Sequence, residues 1–257
     1  MLYFLFSFEK GYNLNHRGVL SEVWLGENAA LLPIFLALLA IAAFAAYLIG
    51  SVNTAVIVSK KMYSDDVRDH GSGNAGFTNM MRLYGKKAAF ITFAGDFFKA
   101  VAATLIGWVL YGYMGAIVAG LFVFIGHVLP IFHKFRGGKG IVCAAGVLFT
   151  LDIFLFALLI AIFIVTVLVT KYISFGSVLS ALVMPLFINK LGGLERQIFR
   201  IVYTINSERV KSFAVVASTI VTIIVIIKHW QNLKRIFNGT ESKFEFKKSR
   251  KDSSDGE

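Results

Sequence analysis

Residues 141–170 read IVCAAGVLFTLDIFLFALLIAIFIVTVLVT, and this apolar stretch decides the fold. As one continuous helix it would be about 45 Å long, well beyond a hydrocarbon core of about 30 Å. Its only charged residue, Asp152, would also lie near the middle of the bilayer, where a carboxylate is costly. Both facts favour two short helices that turn near Asp152.

The apolar stretches on either side predict five more membrane helices, because about 20 apolar residues cross a bilayer as a helix. They cover residues 29–50 with a continuation toward 58, 88–110, 115–129, 173–188 and 212–227. The chain is therefore expected to be an all-α integral membrane protein of about seven helices. Its organisation would be an N-terminal extension (1–28), a membrane domain (29–241) and a charged, disordered tail (242–257).

The composition excludes a soluble protein. Of the 257 residues, 57% are hydrophobic and 16% are charged, whereas a soluble domain carries about 25% charged residues. The net charge of +11 must lie outside the hydrocarbon core. There the positive charge would attract anionic lipids or phosphorylated substrates, or it would only determine the orientation of the helices in the membrane. No nucleic-acid partner is expected. The single cysteine, Cys143, lies in an apolar run and is expected to be a packed core residue.

Seven crossings would place residues 60–87, 131–140 and 228–257 on one side of the membrane. These segments hold most of the basic residues, so the positive-inside rule predicts that this side is cytoplasmic. The N-terminus would then lie outside and the C-terminus in the cytoplasm. Residues 189–211 do not fit this topology, because they would lie outside the cell although they carry five basic residues. They are interpreted as an interfacial helix or an insertion.

The first polar segment carries three glycines among small residues, in the stretch Gly71-Ser72-Gly73-Asn74-Ala75-Gly76, and Arg82 follows. Glycine permits backbone conformations that turn successive N–H groups toward one point, and such a nest binds phosphate oxygens. Arg82 would add a bidentate contact. Taken alone, this loop is equally an ordinary turn between two helices.

The second polar segment contains the basic stretch Phe135-Arg136-Gly137-Gly138-Lys139-Gly140. A lysine between glycines can meet an anion as a point charge while the backbone closes around it. The spacing is not that of a Walker A loop, and Ile141 stands where a Ser or Thr would hold magnesium. The alternative is a basic turn at the membrane interface.

The third polar segment continues the last apolar helix. His229, Asn232 and Ile236 would share one helical face by their spacing. The alternative is a basic juxtamembrane helix that rests on anionic lipid.

Two ionisable residues, Asp96 and Lys99, lie inside a predicted span. Groups at that depth are functional candidates, but they would equally form an ion pair that stabilises the bundle. No metal site is expected, because the histidines lack the spacing of convergent ligands. No nucleophile elbow and no pair of inward carboxylates is present either.

Three motifs occur in order: 70-HGSGNAGFTN-79 followed by Arg82, 126-GHVLP-130 followed by 137-GGKG-140, and His229, Asn232 and Arg235 followed by 239-GTE-241. Together they closely resemble the bacterial acyl-phosphate-dependent glycerol-3-phosphate acyltransferases, the PlsY family. The resemblance covers about residues 50–241. Further family landmarks are residues 50–52, Asp96 with Lys99, and residues 171–174.

The resemblance implies a seven-helix enzyme of the bacterial cytoplasmic membrane, with its active site facing the cytoplasm. It implies transfer of a fatty acyl group from acyl phosphate to the sn-1 hydroxyl of glycerol 3-phosphate. The products would be inorganic phosphate and lysophosphatidic acid, a precursor of phospholipids. No cofactor is implied. The partners would be the two substrates and the lipid bilayer, and the enzyme that supplies acyl phosphate is a further candidate.

The resemblance also assigns residues to the site. Ser72, Arg82 and Lys139 match positions that hold phosphate groups and support transfer, with Lys139 as the first candidate for stabilising the departing phosphate. His229 is a candidate base. The residues expected to bind substrate or phosphate are Gly71, Gly73, Asn74, Thr78, Asn79, Gly137, Gly138, Gly140, Asn232 and Glu241.

Six residues depart from the family pattern: Val52 replaces isoleucine, Asn53 proline, Phe77 alanine, Leu129 phenylalanine, Arg136 lysine and Trp230 arginine. Phe77 would put a large ring into a loop of small residues, and Trp230 removes a cation beside His229. Two alternatives therefore stay open. One is a catalytically degenerate paralogue. The other is a membrane protein that binds or transports a phosphorylated metabolite, although a transporter would more naturally show two related halves.

Overall fold

A computed structural model describes residues 32–188 and 208–244. The predicted N-terminal extension, most of residues 189–211 and the tail from 245 lie outside these ranges. The described residues form seven α-helices and two short 3₁₀ turns, Val67–Asp69 and Ile131–His133. The helices are α1 (Leu32–Ser51), α2 (Thr54–Tyr63), α3 (Phe77–Val128), α4 (Ile141–Leu151), α5 (Ile153–Thr170), α6 (Ile173–Phe187) and α7 (Glu208–Phe237).

The first predicted span is interrupted rather than continuous. The chain leaves the helix at Val52 and Asn53 and resumes as α2. The Asn53 side chain accepts a hydrogen bond from the Val56 backbone N–H at 3.1 Å and thereby caps α2. Asn53, which replaces the family proline, therefore starts the new helix through a side-chain hydrogen bond that proline could not make.

The long helix α3 is a hairpin. Its backbone leaves helical geometry at Gly85 and again at Tyr111 and Gly112. A Cβ on Gly107 would overlap the carbonyl oxygen of Gly115, and a Cβ on Gly115 would overlap that of Gly107. The two halves, 86–110 and 113–128, therefore pack against each other in close backbone contact.

The predicted turn near Asp152 is confirmed. Helix α4 ends at Leu151 and α5 begins at Ile153, with Asp152 extended between them (φ −158°, ψ 98°). The carboxylate of Asp152 accepts a hydrogen bond from the Leu155 backbone N–H at 2.7 Å. The one charge in this apolar stretch thus caps the second helix.

The bundle has the surface expected of a membrane protein. Four stretches are long and apolar enough to cross a bilayer: Pro33–Tyr63, Phe77–His133, Ile153–Thr170 and Ser212–Phe237. Helices α4 and α6 are shorter and apolar. Large apolar side chains such as Ile41, Val169 and Ile227 remain exposed on the helices, which suits contact with lipid. Cys143 is buried, as predicted.

The polar segments meet at one end of the bundle. Arg68 Nη1 donates to the His133 carbonyl at 2.9 Å, which joins the first polar segment to the second. The Phe244 backbone N–H donates to the Lys171 carbonyl at 2.7 Å, so the end of α5 lies beside the chain that follows α7. The helical hairpins thus bring distant polar sequences into one site.

Candidate active site

The loop of residues 70–76 is held by one buried amide, that of Asn79. Its Oδ1 accepts from the Ser72 backbone N–H at 3.0 Å. Its Nδ2 donates to the carbonyls of Val67 and His70, both at 3.0 Å. Asn79 is only 1% exposed. The sequence grouped it with the substrate-binding residues, but its polar atoms are engaged by the backbone of the loop.

Other predicted residues of this loop face outward. The side chains of Ser72 and Thr78 are exposed, and Asn74 is half-buried. Gly71 and Gly73 have φ values of 62° and 68°. The Arg82 side chain is also exposed, on the first turns of α3. The loop therefore offers a hydroxyl and a nearby guanidinium to a ligand at the polar end of the bundle.

A second arginine, Arg68, has a structural role that the sequence did not reveal. Its Nε and Nη2 donate to both carboxylate oxygens of Asp66, at 2.8 and 2.7 Å. The guanidinium holds the pKa of Asp66 well below its usual range. Because Arg68 also binds the His133 carbonyl, this ion pair locks the first polar segment to the second.

The loop of residues 137–140 sits directly against the 70–76 loop. A Cβ on Gly138 would overlap His127 Nε2 and would lie 2.9 Å from the Ala75 carbonyl oxygen. The Gly138 backbone N–H donates to the His127 carbonyl at 3.3 Å. Gly137 also packs on His127, and Gly140 has φ 83° and lies against the Phe124 ring. Close approach of the two loops therefore requires residues without a Cβ.

Lys139 points from this loop toward α7. Its Nζ donates to the Asn232 Oδ1. Burial lowers the pKa of Lys139 to about 8; the charge of Glu241 opposes the shift, and the charges of Arg235 and Arg82 add to it. Lys139 is thus an ammonium at neutral pH, within a group of three cations and one carboxylate.

Glu241 accepts hydrogen bonds from three side chains on the C-terminal side of the site. Its Oε1 accepts from Asn232 Nδ2 at 2.6 Å and from Ser174 Oγ at 2.9 Å, and its Oε2 accepts from Arg235 Nε at 2.7 Å. Although burial opposes it, these hydrogen bonds hold the pKa of Glu241 below its usual value. The sequence grouped Glu241 with the substrate-binding residues, whereas here its carboxylate orients Asn232 and Arg235.

A turn at Gly239 makes this arrangement possible. Gly239 has φ 69°, a left-handed conformation that glycine adopts without strain. The backbone N–H groups of Thr240 and Glu241 then donate to the Arg235 carbonyl at 2.8 and 3.1 Å. The chain after α7 therefore folds back on the helix. The sequence marked Ser174 and Arg235 only as parts of family motifs, because their role depends on this fold-back.

His229 lies one helical turn before Asn232 and is 3% exposed. Its Nδ1 is 2.8 Å from the Val225 carbonyl oxygen. A carbonyl can only accept, so Nδ1 carries the proton and Nε2 of the neutral ring is an acceptor. Lys139 and Glu241 are the charged neighbours of this ring.

The two departures of greatest concern are Phe77, which packs against the cluster that contains Val67 and Ala75, and Trp230. The Phe77 ring packs edge-on against Phe93, with centroids 6.1 Å apart, on the side of α3. Trp230 is 59% exposed and follows His229 on a different face of α7. Leu129 and Arg136 are also exposed. In the described residues, no three His, Cys, Asp or Glu side chains come together as a metal site would require.

Comparison with known proteins gives one consistent result. The family profile of glycerol-3-phosphate acyltransferase matches residues 40–239. A glycerol-3-phosphate acyltransferase of Thermoanaerobacter pseudethanolicus is 41% identical over 201 residues, which cover 78% of this chain and 93% of that protein.

Two crystal structures of PlsY, an integral membrane glycerol 3-phosphate acyltransferase, share the fold. The glycerol 3-phosphate form aligns with a TM-score of 0.68 at 27% identity and covers 80% of this chain and 96% of that one. The lysophosphatidic acid form aligns with a TM-score of 0.66 at 26% identity and covers 80% and 95%. The predicted all-α membrane fold is confirmed, and the chain belongs to the glycerol-3-phosphate acyltransferase family.

Proposed function

We propose that this protein transfers a fatty acyl group from acyl phosphate to the sn-1 hydroxyl of glycerol 3-phosphate. The glycerol-3-phosphate acyltransferase activity follows from its family. The observation that supports a phosphorylated acyl donor is the group of cations at the polar end of the bundle. The charges of Arg82 and Arg235 both act on Lys139, and two phosphorylated substrates can meet only where cations offset their repulsion.

The reaction needs one nucleophilic displacement at an acyl carbon. The hydroxyl oxygen of glycerol 3-phosphate attacks the carbonyl carbon of acyl phosphate and forms the ester bond. The bond from that carbon to the phosphate oxygen breaks, and inorganic phosphate departs with the electron pair. The hydroxyl proton passes to an acceptor. Because acyl phosphate is already activated, orientation of the two substrates supplies much of the rate.

Each cation has a distinct place in this proposal. Lys139, between Gly138 and Gly140, stabilises the charge that grows on the departing phosphate. Ser72 and Arg82 hold a phosphate above the 70–76 loop, together with Asn74 and Thr78. Asn232 bonds Lys139 and is itself oriented by Glu241.

The proton acceptor is one of two groups. Inorganic phosphate can take the proton as it leaves. His229 is the alternative, because its Nε2 is an acceptor when Nδ1 is bonded to the Val225 carbonyl. Replacement of His229 by glutamine would separate these cases, since a loss of less than about tenfold in kcat would favour phosphate.

The polar end is assigned to the cytoplasm. The basic residues Lys60, Lys61, Lys86, Lys87, Lys134 and Arg136 all lie in the segments that meet there, in agreement with the positive-inside rule. The N-terminus would then lie outside. Labelling of Lys134→Cys by an impermeant maleimide tests the assignment, because the introduced thiol should react only when the cytoplasmic side is accessible.

The direct test is an assay of the purified full-length chain in lipid. Long-chain acyl phosphate and labelled glycerol 3-phosphate should yield lysophosphatidic acid and an equal amount of phosphate, whereas acyl-CoA should yield neither. Product from acyl-CoA alone would reject the proposed donor. Binding of glycerol 3-phosphate without product from either donor would favour the catalytically degenerate reading.

The alkaline side of the pH profile provides a second test. Only the ammonium form of Lys139 stabilises phosphate, and its pKa is about 8. We therefore expect kcat/KM to be level near pH 7 and to fall to about a tenth by pH 9. The second ionisation of the substrate phosphates, near pH 6, lies outside this window.

Glu241→Gln should move this fall in activity to lower pH. The negative charge of Glu241 favours the protonated form of Lys139, so removing it makes the ammonium easier to lose. Asp65→Asn is the matched control, because it removes a carboxylate from the same end of the protein that does not contact Lys139. An identical midpoint in wild type and Glu241→Gln would contradict the assignment of the profile to Lys139.

A further inference from the structure

An ion pair lies buried in the middle of the bundle, below the site. Lys99 Nζ is 2.8 Å from Asp96 Oδ1, and the two side chains are 10% and 2% exposed. The proposed reaction uses neither residue. Ionisable groups inside a membrane protein are costly to bury, so their presence needs an explanation. A contribution to stability alone is a weak explanation. Apolar residues in place of a buried pair are often as stable or more so, because the charges need not be desolvated.

The pair extends beyond α3. Besides Asp96, the Lys99 ammonium donates to the Val52 carbonyl at 2.6 Å and lies 3.2 Å from His127 Nδ1. Two of its three donors therefore bond oxygens, and the His127 ring lies within reach of the third. The Val52 carbonyl is available because the chain leaves the helix there, and the Val56 N–H that would have bonded it is taken by Asn53. Lys99 thus joins the α1–α2 break to the second half of α3.

His127 lies between the ion pair and the 137–140 loop of the site. The ring is buried, and its Nδ1 faces both Lys99 and, at 3.5 Å, Asp96 Oδ1. The opposite edge, Nε2, lies against Gly138, and the His127 carbonyl accepts the Gly138 N–H. The ring orientation is fixed on one edge by the ion pair, while the other edge supports the loop that carries Lys139.

We propose that Asp96, Lys99 and His127 are positioning residues that hold the 137–140 loop, and with it Lys139, against Ala75 of the neighbouring loop. They do not contact the reacting atoms. The effect on turnover rests on the proposed function, whereas the effect on the loop itself does not. A displacement of about 1 Å in a catalytic group can cost about 100-fold in rate, so a small movement of this ring is sufficient to matter.

The decisive variant removes the pair as a whole. In the full-length protein, Asp96→Leu combined with Lys99→Met leaves no unpaired charge; the Val52 carbonyl loses its donor, so the Tm should fall modestly and less than in either single variant. We expect kcat to fall about 100-fold, with a smaller change in KM. Backbone amides of residues 137–140 should exchange with deuterium about tenfold faster, because the Gly138 N–H loses its fixed acceptor.

Asp152→Ala is the matched control. It removes another buried carboxylate, 7% exposed, which caps α5 away from the polar end. This variant should lower the Tm and leave both kcat and loop exchange unchanged. The second test is His127→Gln, which removes the ring edge beneath Gly138 and should reproduce the kinetic and exchange effects of the double variant.

The outcomes separate this inference from the proposed function. A double variant with kcat within threefold of wild type and unchanged exchange would overturn the positioning role. Failure of both the double variant and His127→Gln to fold would also overturn it, in favour of a purely structural ion pair. A wild-type protein that makes no product from acyl phosphate would count against the donor, but the exchange measurement would still decide whether the pair holds the loop.

Discussion

Replacement of Lys139 by methionine is expected to lower kcat/KM for acyl phosphate by about 10²- to 10³-fold, with the helical bundle intact. Methionine keeps a linear apolar stem in the half-buried site and removes the ammonium. Of the remaining cations, Arg235 is held by Glu241 at 2.7 Å, and the proposed function assigns Arg82 to the phosphate above the 70–76 loop. Charge that grows on the departing phosphate would then lack the ammonium that the proposal assigns to it.

The measurement is a steady-state assay at pH 7, where Lys139 of the wild type is protonated. Lys134→Met is the matched control: it removes an exposed lysine from the same polar segment and should change kcat/KM by less than about twofold. Nearly equal activity in Lys139→Met and wild type would remove the central element of the proposed mechanism.

Replacement of Gly138 by alanine is expected to reduce kcat/KM by about 100-fold through a single methyl group. The added Cβ would overlap His127 Nε2 and lie 2.9 Å from the Ala75 carbonyl. Neither neighbour can yield easily: the ring is held by Lys99 and Asp96, and the carbonyl belongs to the backbone of the 70–76 loop. The two loops must therefore separate, and Lys139 moves away from the phosphate-binding side.

Gly85→Ala separates this crowding from the general cost of an alanine at a glycine position. Gly85 has φ 81° and ψ −171°, so alanine is strained there by about 1–3 kcal/mol, but a Cβ would meet no atom within 4 Å. This control should lose thermal stability and keep kcat/KM within a few-fold. If Gly138→Ala proved as active as Gly85→Ala, close contact between the loops would not be needed for catalysis.

Much of the fold could be predicted from the sequence because membrane helices are defined by apolar length. The break at Asp152 followed from a stretch too long for one crossing with a charge in its middle. The break at Val52 and Asn53 could not be predicted in the same way. It depends on a side-chain cap and on an ammonium from α3, both of which involve contacts that apolar periodicity does not record.

The sequence predicted which segments carry the candidate residues, but it did not predict what each side chain contacts. Asn79 and Glu241 were expected to bind substrate or phosphate, yet both use their polar atoms on the protein itself. Their residue types suit either role, and only their neighbours in space decide. The orientation of the Phe77 ring could not be predicted from the sequence either. The ring packs against Phe93, which lies more than four helical turns away along the chain.

The fold-back after α7 makes two groups of the candidate site depend on residues that follow the last described helix. Translation produces every helix described here before it reaches Glu241, so a chain that stopped at Asn238 could insert in the membrane and still lack the carboxylate that orients Asn232 and Arg235. The order of Asn232 and Arg235 therefore depends on residues that are translated only after the last helix of the bundle is complete.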